Sequence, residues 1–253
     1  MIDSHAHYDD ERFNEDRHEI LQKCVDEGVS HIVNAGTDVE SSYASVSLAD
    51  KYPFVYAAVG VHPHEASGWN DDTLSELKKL AGCEKVVAIG EIGLDYHYDF
   101  SPRSVQKEVF ARQIDFARSL KKPVIVHNRE SHQDILDILK SEKAYEVGGV
   151  LHCFSGSVEM AKQVLDLGFM IGIGGPVTFK KAVKPVEVVR YVPLDMLLIE
   201  TDCPYLSPEP VRGRRNWSGN LKYILEKIAQ IKGIDYKEAE MATTENARQL
   251  FKF

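Results

Sequence analysis

The chain has 253 residues, 43% hydrophobic and 27% charged, which is enough apolar material for a large buried core. A net charge of −9 argues against a general nucleic-acid coat, although bound divalent cations would invert the local field and admit an anionic substrate. Four widely spaced cysteines, Cys24, Cys83, Cys153 and Cys203, form no Cys-x-x-Cys pair, which excludes a small disulfide framework and points to a reducing, cytoplasmic setting.

From residue 2 onward, strand-like apolar runs alternate with helical periods. The first run, 2–7, carries His5 and His7, whose i, i+2 spacing turns both imidazoles to one face of a strand. Phe13, Arg17, Leu21, Cys24 and Val25 follow at helical spacing as one helix closed by Gly28. Ile32-Val33 is the second strand, 43–49 a helix, and 54–60 the third strand, which leads into Val61-His62-Pro63-His64. Leu74, Leu77 and Leu80 mark a helix, and the fourth strand reaches Glu91. Ser101-Pro102 has the form of an N-cap and a first-turn proline before a long helix ending at Leu120. Strand five ends at His127, a helix runs through 135–139, and strand six ends at His152. A helix over 160–167 is capped by Gly168, and 169–173 is the seventh strand. A helix over 183–189 leads to an eighth strand running to Asp202, followed by helices over 221–228 and 236–250. The last of these should pack across one end.

Eight βα units in this length match a single (β/α)8 TIM barrel of the α/β class with an extra C-terminal helix, one domain over 1–253. A doubly wound open sheet is the competing arrangement. It would fan the polar strand ends of strands 1, 4, 5, 6 and 8 across many strand widths, whereas closure gathers them. No linker or low-complexity tract marks a second domain, and no apolar run approaches the roughly 18 residues of a membrane span. With a strand beginning at residue 2 there is no room for a basic leader, so a soluble protein without membrane contact or an obligate protein partner is expected.

His5, His7, Glu91, His127, His152 and Asp202 make six nitrogen and oxygen donors without sulfur, a set suited to Zn²⁺, Mn²⁺ or Mg²⁺. Six donors exceed what one open catalytic ion needs, so two divalent ions are expected, bridged by Glu91 between Gly90 and Gly93. His5, His7 and Asp202 would hold one ion, and His127 with His152 the other. A water shared between such ions is acidified toward a pKa of about 7, and Asp202 is placed to accept its proton. Each residue alone has a plain structural use, but structural residues have no reason to gather at one end of alternate strands. His62, ending strand three, is assigned to catalysis or to contact with a substrate oxygen. Arg129, and Arg214 and Arg215 in the loop after strand eight, suit phosphate. His64, His97 and His132 are assigned to the surface or loops.

These motifs together resemble the TatD family of metal-dependent hydrolases and deoxyribonucleases, within the amidohydrolase-like barrels. The resemblance rests on Asp3-Ser4-His5-Ala6-His7, Gly60-Val61-His62-Pro63-His64, Gly90-Glu91-Ile92-Gly93-Leu94-Asp95-Tyr96, Pro123-Val124-Ile125-Val126-His127, His152-Cys153-Phe154-Ser155-Gly156 and Glu200-Thr201-Asp202-Cys203-Pro204-Tyr205-Leu206, in that order along nearly the whole chain. It implies a two-metal phosphodiesterase acting on DNA, often as a 3′ to 5′ exonuclease, with ligands at the same six positions. One departure is Arg215-Asn216-Trp217-Ser218, where the family usually has Arg-Asn-Glu-Pro; it bears on substrate contacts rather than metal chemistry. The second functional reading is a binuclear C–N or ester hydrolase acting on a small metabolite. Such enzymes often bridge their metals with a carboxylated lysine on strand four, and this chain offers Glu91 there.

Overall fold

The computed structural model describes residues 1–253. Eight strands make one parallel sheet in chain order: β1 (Ile2–Ala6), β2 (His31–Ala35), β3 (Val55–Val59), β4 (Val86–Asp95), β5 (Val124–Arg129), β6 (Gly149–Leu151), β7 (Met170–Ile173) and β8 (Leu197–Ile199). The sheet curls until its ends meet. The Asp202 N–H donates to the His5 carbonyl at 3.0 Å, the His7 N–H donates to the Cys203 carbonyl at 2.8 Å, and Ala6 and Cys203 form a parallel bridge. The result is the expected TIM barrel, and no helix is long and apolar enough to cross a membrane.

Helices alternate with the strands: α1 (Arg17–Asp26), α2 (Val39–Lys51), α3 (Asp71–Ala81), α4 (Arg103–Leu120), α5 (His132–Ser141), α6 (Val158–Asp166), α7 (Val183–Tyr191) and α8 (Leu221–Lys232). Two carry reciprocal caps, Asp38 with Ser41 on α2 and Asn70 with Thr73 on α3, which satisfy backbone N–H groups otherwise orphaned at a helix start. Phe13 departs from expectation. It lies in a separate turn, Glu11–Phe13, because the Arg17 guanidinium folds back onto the carbonyls of Tyr8, Asp9 and Asp10 and starts α1 afresh. Ser101 is likewise no N-cap. Its hydroxyl donates to the His64 carbonyl at 2.8 Å and accepts the Ser67 N–H at 3.0 Å, tying the start of α4 to the loop after β3.

Side chains alternate between two apolar layers. Val59, Val124, Val126, Leu151, Leu197 and Ile199 point outward under the helices. Ala58, Ile125, Val150 and Leu198 point into the barrel, where Ala247 and Phe251 of the ninth helix, α9 (Tyr236–Phe251), close the amino-terminal end. Burial of an aromatic such as Phe251 contributes about 1.5–3 kcal/mol to that plug. With the amino end sealed by carbon, the inward phase leads at the other end to His62, His127 and Arg129, His152, and Glu200 and Asp202.

On β4 the outward residues are Ile92 and Leu94, which leaves Glu91, Gly93 and Asp95 inward. Gly93 sits at φ +145° directly opposite His127, and a Cβ there would press on the His127 backbone. Gly93→Ala is therefore expected to lower stability by about 3 kcal/mol and to spread β4 from β5, measurable as a fall in the urea midpoint together with loss of metal retention.

Candidate metal centre

Glu91 stands at the middle of the polar end, with its two carboxylate oxygens facing different histidines. Oε2 lies 3.3 Å from His5 Nε2 and 3.6 Å from His7 Nε2. Oε1 lies 2.7 Å from His127 Nδ1 and 2.8 Å from His152 Nε2. Asp202 Oδ1 completes the first side, 3.4 Å from His7 Nε2 and 3.6 Å from His5 Nε2. Three donor groups, His5 with His7 and Asp202, His5 with Glu91 and His152, and His62 with Glu91 and His127, each converge within 4.8 Å and could hold a cation. All of these residues except the fully buried His5 line the floor of a cavity of about 620 Å³.

The hydrogen bonds behind the rings decide which nitrogens offer lone pairs. His7 Nδ1 faces the Ala35 carbonyl at 2.9 Å, so it carries the proton and donates, leaving the Nε2 lone pair aimed at the centre. His62 is the reverse case. Its Nδ1 accepts the His64 N–H at 3.2 Å, so in the neutral ring Nε2 bears the proton and presents a donor to the cavity. His127 is backed by Asp95, whose Oδ2 is 3.1 Å from Nε2, whereas His152 Nδ1 only faces the Glu200 carboxylate at 3.5 Å without a hydrogen bond. His5 Nε2 and His7 Nε2 approach to 3.0 Å, and the buried His5 Nδ1, His152 Nδ1 and Glu200 Oε2 have no hydrogen-bond partner. A closed cluster of nitrogen and oxygen atoms with its lone pairs turned inward fits divalent cations of the borderline class.

Electrostatics favour the same occupancy. Burial opposes ionisation of Glu91, but His152, His5 and His62 outweigh it and hold the carboxyl well below its ordinary range. Burial likewise opposes ionisation of Asp202, but the His7 bond and the neighbouring imidazoles outweigh it and lower its pKa, so it too is ionised. Burial disfavours a charged His7, yet the bond to Asp202 and the Glu91 charge push it up to about 9, which makes a proton the competitor for the cation's place.

All six expected donors meet here, with His62 beside them and Arg129 on the cavity wall. Arg214 and Arg215 are exposed and lie off that wall. Arg215 is held by Asp16 through contacts of 3.0 and 2.5 Å, and its guanidinium covers Phe13. Of the surface or loop assignments, His64 does lie in the loop after β3 but turns into the site, and His132 fails, since it opens α5. His64 lines the cavity with Nε2 3.0 Å from Asp95, and His132 is half-buried with Nδ1 2.9 Å from the Asn128 amide. His97 is exposed beside Glu130. Asp95 and Glu200 are additions, both detectable in sequence by strand phase: Asp95 is four residues past Glu91 and Glu200 two before Asp202. In the departing segment, the Asn216 amide holds the Thr201 and Tyr205 carbonyls and Ser218 donates to Asp3 at 2.7 Å, so the segment braces β1 from below the cavity.

A TIM barrel with this donor set at the carboxyl ends of its strands belongs to the class of metal-dependent hydrolases. More narrowly, the chain is a member of the TatD-related DNase family, whose family model matches residues 2–252. It is 46% identical over 252 residues to the uncharacterized metal-dependent hydrolase YabD of Bacillus subtilis strain 168, covering 100% of this chain and 99% of that one. It is 36% identical over 256 residues to the 3′-5′ ssDNA/RNA exonuclease TatD of Cronobacter sakazakii, covering 99% and 97%. The crystal structure of the TatD homologue YJJV from Escherichia coli K12 superposes with a TM-score of 0.94 at 32% identity, covering 100% and 98%.

Proposed function

We propose that residues 1–253 act as one hydrolase domain that cleaves phosphodiester bonds in single-stranded nucleic acid, of the 3′ to 5′ exonuclease type, with two divalent cations. His5, His7 and Asp202 would hold one cation and His127 and His152 the other, with the Glu91 carboxylate between the two sets. The observation that carries this reading is the division of Glu91 between two sets of imidazoles, Oε2 toward His5 and Oε1 toward His127 and His152. The nuclease part is supported by the names of relatives such as the Cronobacter sakazakii exonuclease.

When bound, the cations would polarise a phosphoryl oxygen and acidify a water from pKa 15.7 toward about 7. The chain's own residues supply the rest. Asp202, 17% exposed on its side chain, takes the proton of the attacking water. His62 Nε2–H donates to a phosphoryl oxygen, fixed in that role by the His64 N–H behind it. Arg129, at the cavity wall, pairs with a neighbouring phosphate, and Arg214 contributes a more distant one. Arg215 leaves that set because Asp16 holds its guanidinium.

Release of labelled nucleotides from single-stranded DNA, with and without chelator, tests the reading beside a panel of amides and lactones. Metal-dependent turnover of the panel with none of DNA would transfer the site to small-metabolite chemistry. Arg129→Ala is expected to weaken DNA binding and to reduce the slope of log K against log salt by about one, whereas Arg215→Ala leaves that slope unchanged and costs at most about 1 kcal/mol of stability. Equal slopes for both variants would remove Arg129 from the phosphate track.

A further inference from the structure

Beside the cavity mouth, the segment after β4 places two aromatic rings in solvent. Phe100, 68% exposed, is the most exposed aromatic side chain of the protein, and Tyr98 is 49% exposed. Their rings are stacked, with centroids 5.3 Å apart and planes 23° from parallel. The shelf is joined to the metal centre by one residue. His64 meets Phe100 edge-on at 4.8 Å, while its Nε2 lies 3.0 Å from the Asp95 carboxylate that also backs His127. The Arg129 guanidinium lies over the Tyr98 ring at 4.7 Å, so a positive group stands where the shelf enters the cavity. Folding explains none of this exposure, since leaving a phenylalanine in water forgoes about 1.5–3 kcal/mol of burial.

We propose that Tyr98 and Phe100 form a stacking shelf for an unpaired nucleobase of a substrate strand whose phosphates lie at Arg129 and the metal centre. The inference rests on the nucleic-acid reading above and narrows it. A base on the shelf must be out of a duplex, because only an unpaired base offers a free face, so the shelf selects single strands or frayed ends. Flat apolar rings next to a guanidinium match the two faces of a nucleotide, an uncharged base and an anionic phosphate.

The test is a cycle between protein and substrate on the metal-loaded protein. Its ligand is a short single strand with cleavage-resistant phosphorothioate linkages, carrying either 2-aminopurine or an abasic residue at each position in turn. At one position, wild-type binding should quench 2-aminopurine, and the abasic change there should weaken binding about tenfold to a hundredfold. Phe100→Ala should lose the quench and weaken binding of the intact strand by a similar factor, with no further loss on the abasic strand. Phe100→Trp should restore both. Additive losses would mean that Phe100 merely supports the fold, and equal binding by wild type and Phe100→Ala, or no binding by wild type, would overturn the shelf outright. A molecular mass that doubles with concentration in wild type and not in Phe100→Ala would reassign the patch to contact between copies. Quenching without cleavage of the natural phosphodiester strand would defeat the nuclease reading and leave the shelf standing.

Discussion

Glu91→Gln is expected to reduce bound metal from two ions to one or fewer and to slow hydrolysis at least about a thousandfold, some 4 kcal/mol of transition-state stabilisation. The substitution keeps side-chain volume and removes the negative charge that lets two cations approach each other. It also puts an amide nitrogen opposite one set of imidazoles, where Oε1 now lies 2.7 Å from His127 and 2.8 Å from His152, or Oε2 3.3 Å from His5. Whichever way the amide turns, one set loses its acceptor. Melting should shift by only a few degrees, because the barrel core does not involve Glu91. His31→Ala is the control, a histidine at the amino end of β2 stacked on Phe253, and should leave metal content and rate unchanged. Single-turnover rates and metal analysis on both proteins check the expectation; two ions and near-normal turnover in Glu91→Gln would remove the bridge.

Chelation is expected to abolish hydrolysis while the helical circular-dichroism signal stays nearly intact. The two apolar layers and the α9 plug are built without the polar end, unlike a zinc finger whose core depends on its ion. Acid acts in the same direction as the chelator. His7 is held up to about 9 without a cation, so its folded pKa exceeds the ordinary imidazole value and protons compete more strongly with metal as the pH falls. Activity at fixed metal concentration should therefore fall on the acid side and recover with added metal. Collapse of the helical signal on chelation would show a structural rather than a catalytic centre.

The barrel is legible in the chain because alternating apolar runs and helical periods recur eight times, and the donors because each run ends in a polar residue. What strand ends alone do not reveal lies beyond them. β4 continues for four residues past Glu91, which carries Asp95 into place behind His127 and His64. His64 lies within a 3-10 turn, Pro63–Gly68, which has no periodic signature. Arg215 looks like a phosphate ligand in sequence because its partner Asp16 is 199 positions away, and Ser101 looks like a cap because its partner His64 is 37 away. Such pairings are set by barrel closure, which local pattern does not encode. Phase along the strands would have recovered Glu200 and Asp95, since inward side chains keep alternating after the last ladder bond.

Anomalous scattering from a crystal of the metal-loaded protein tests the central claim most directly. Two peaks about 3.5–4 Å apart are expected, one against His5, His7 and Asp202 and one against His127 and His152, with Glu91 reaching both. A single peak, or two peaks with Glu91 on only one of them, would contradict that claim.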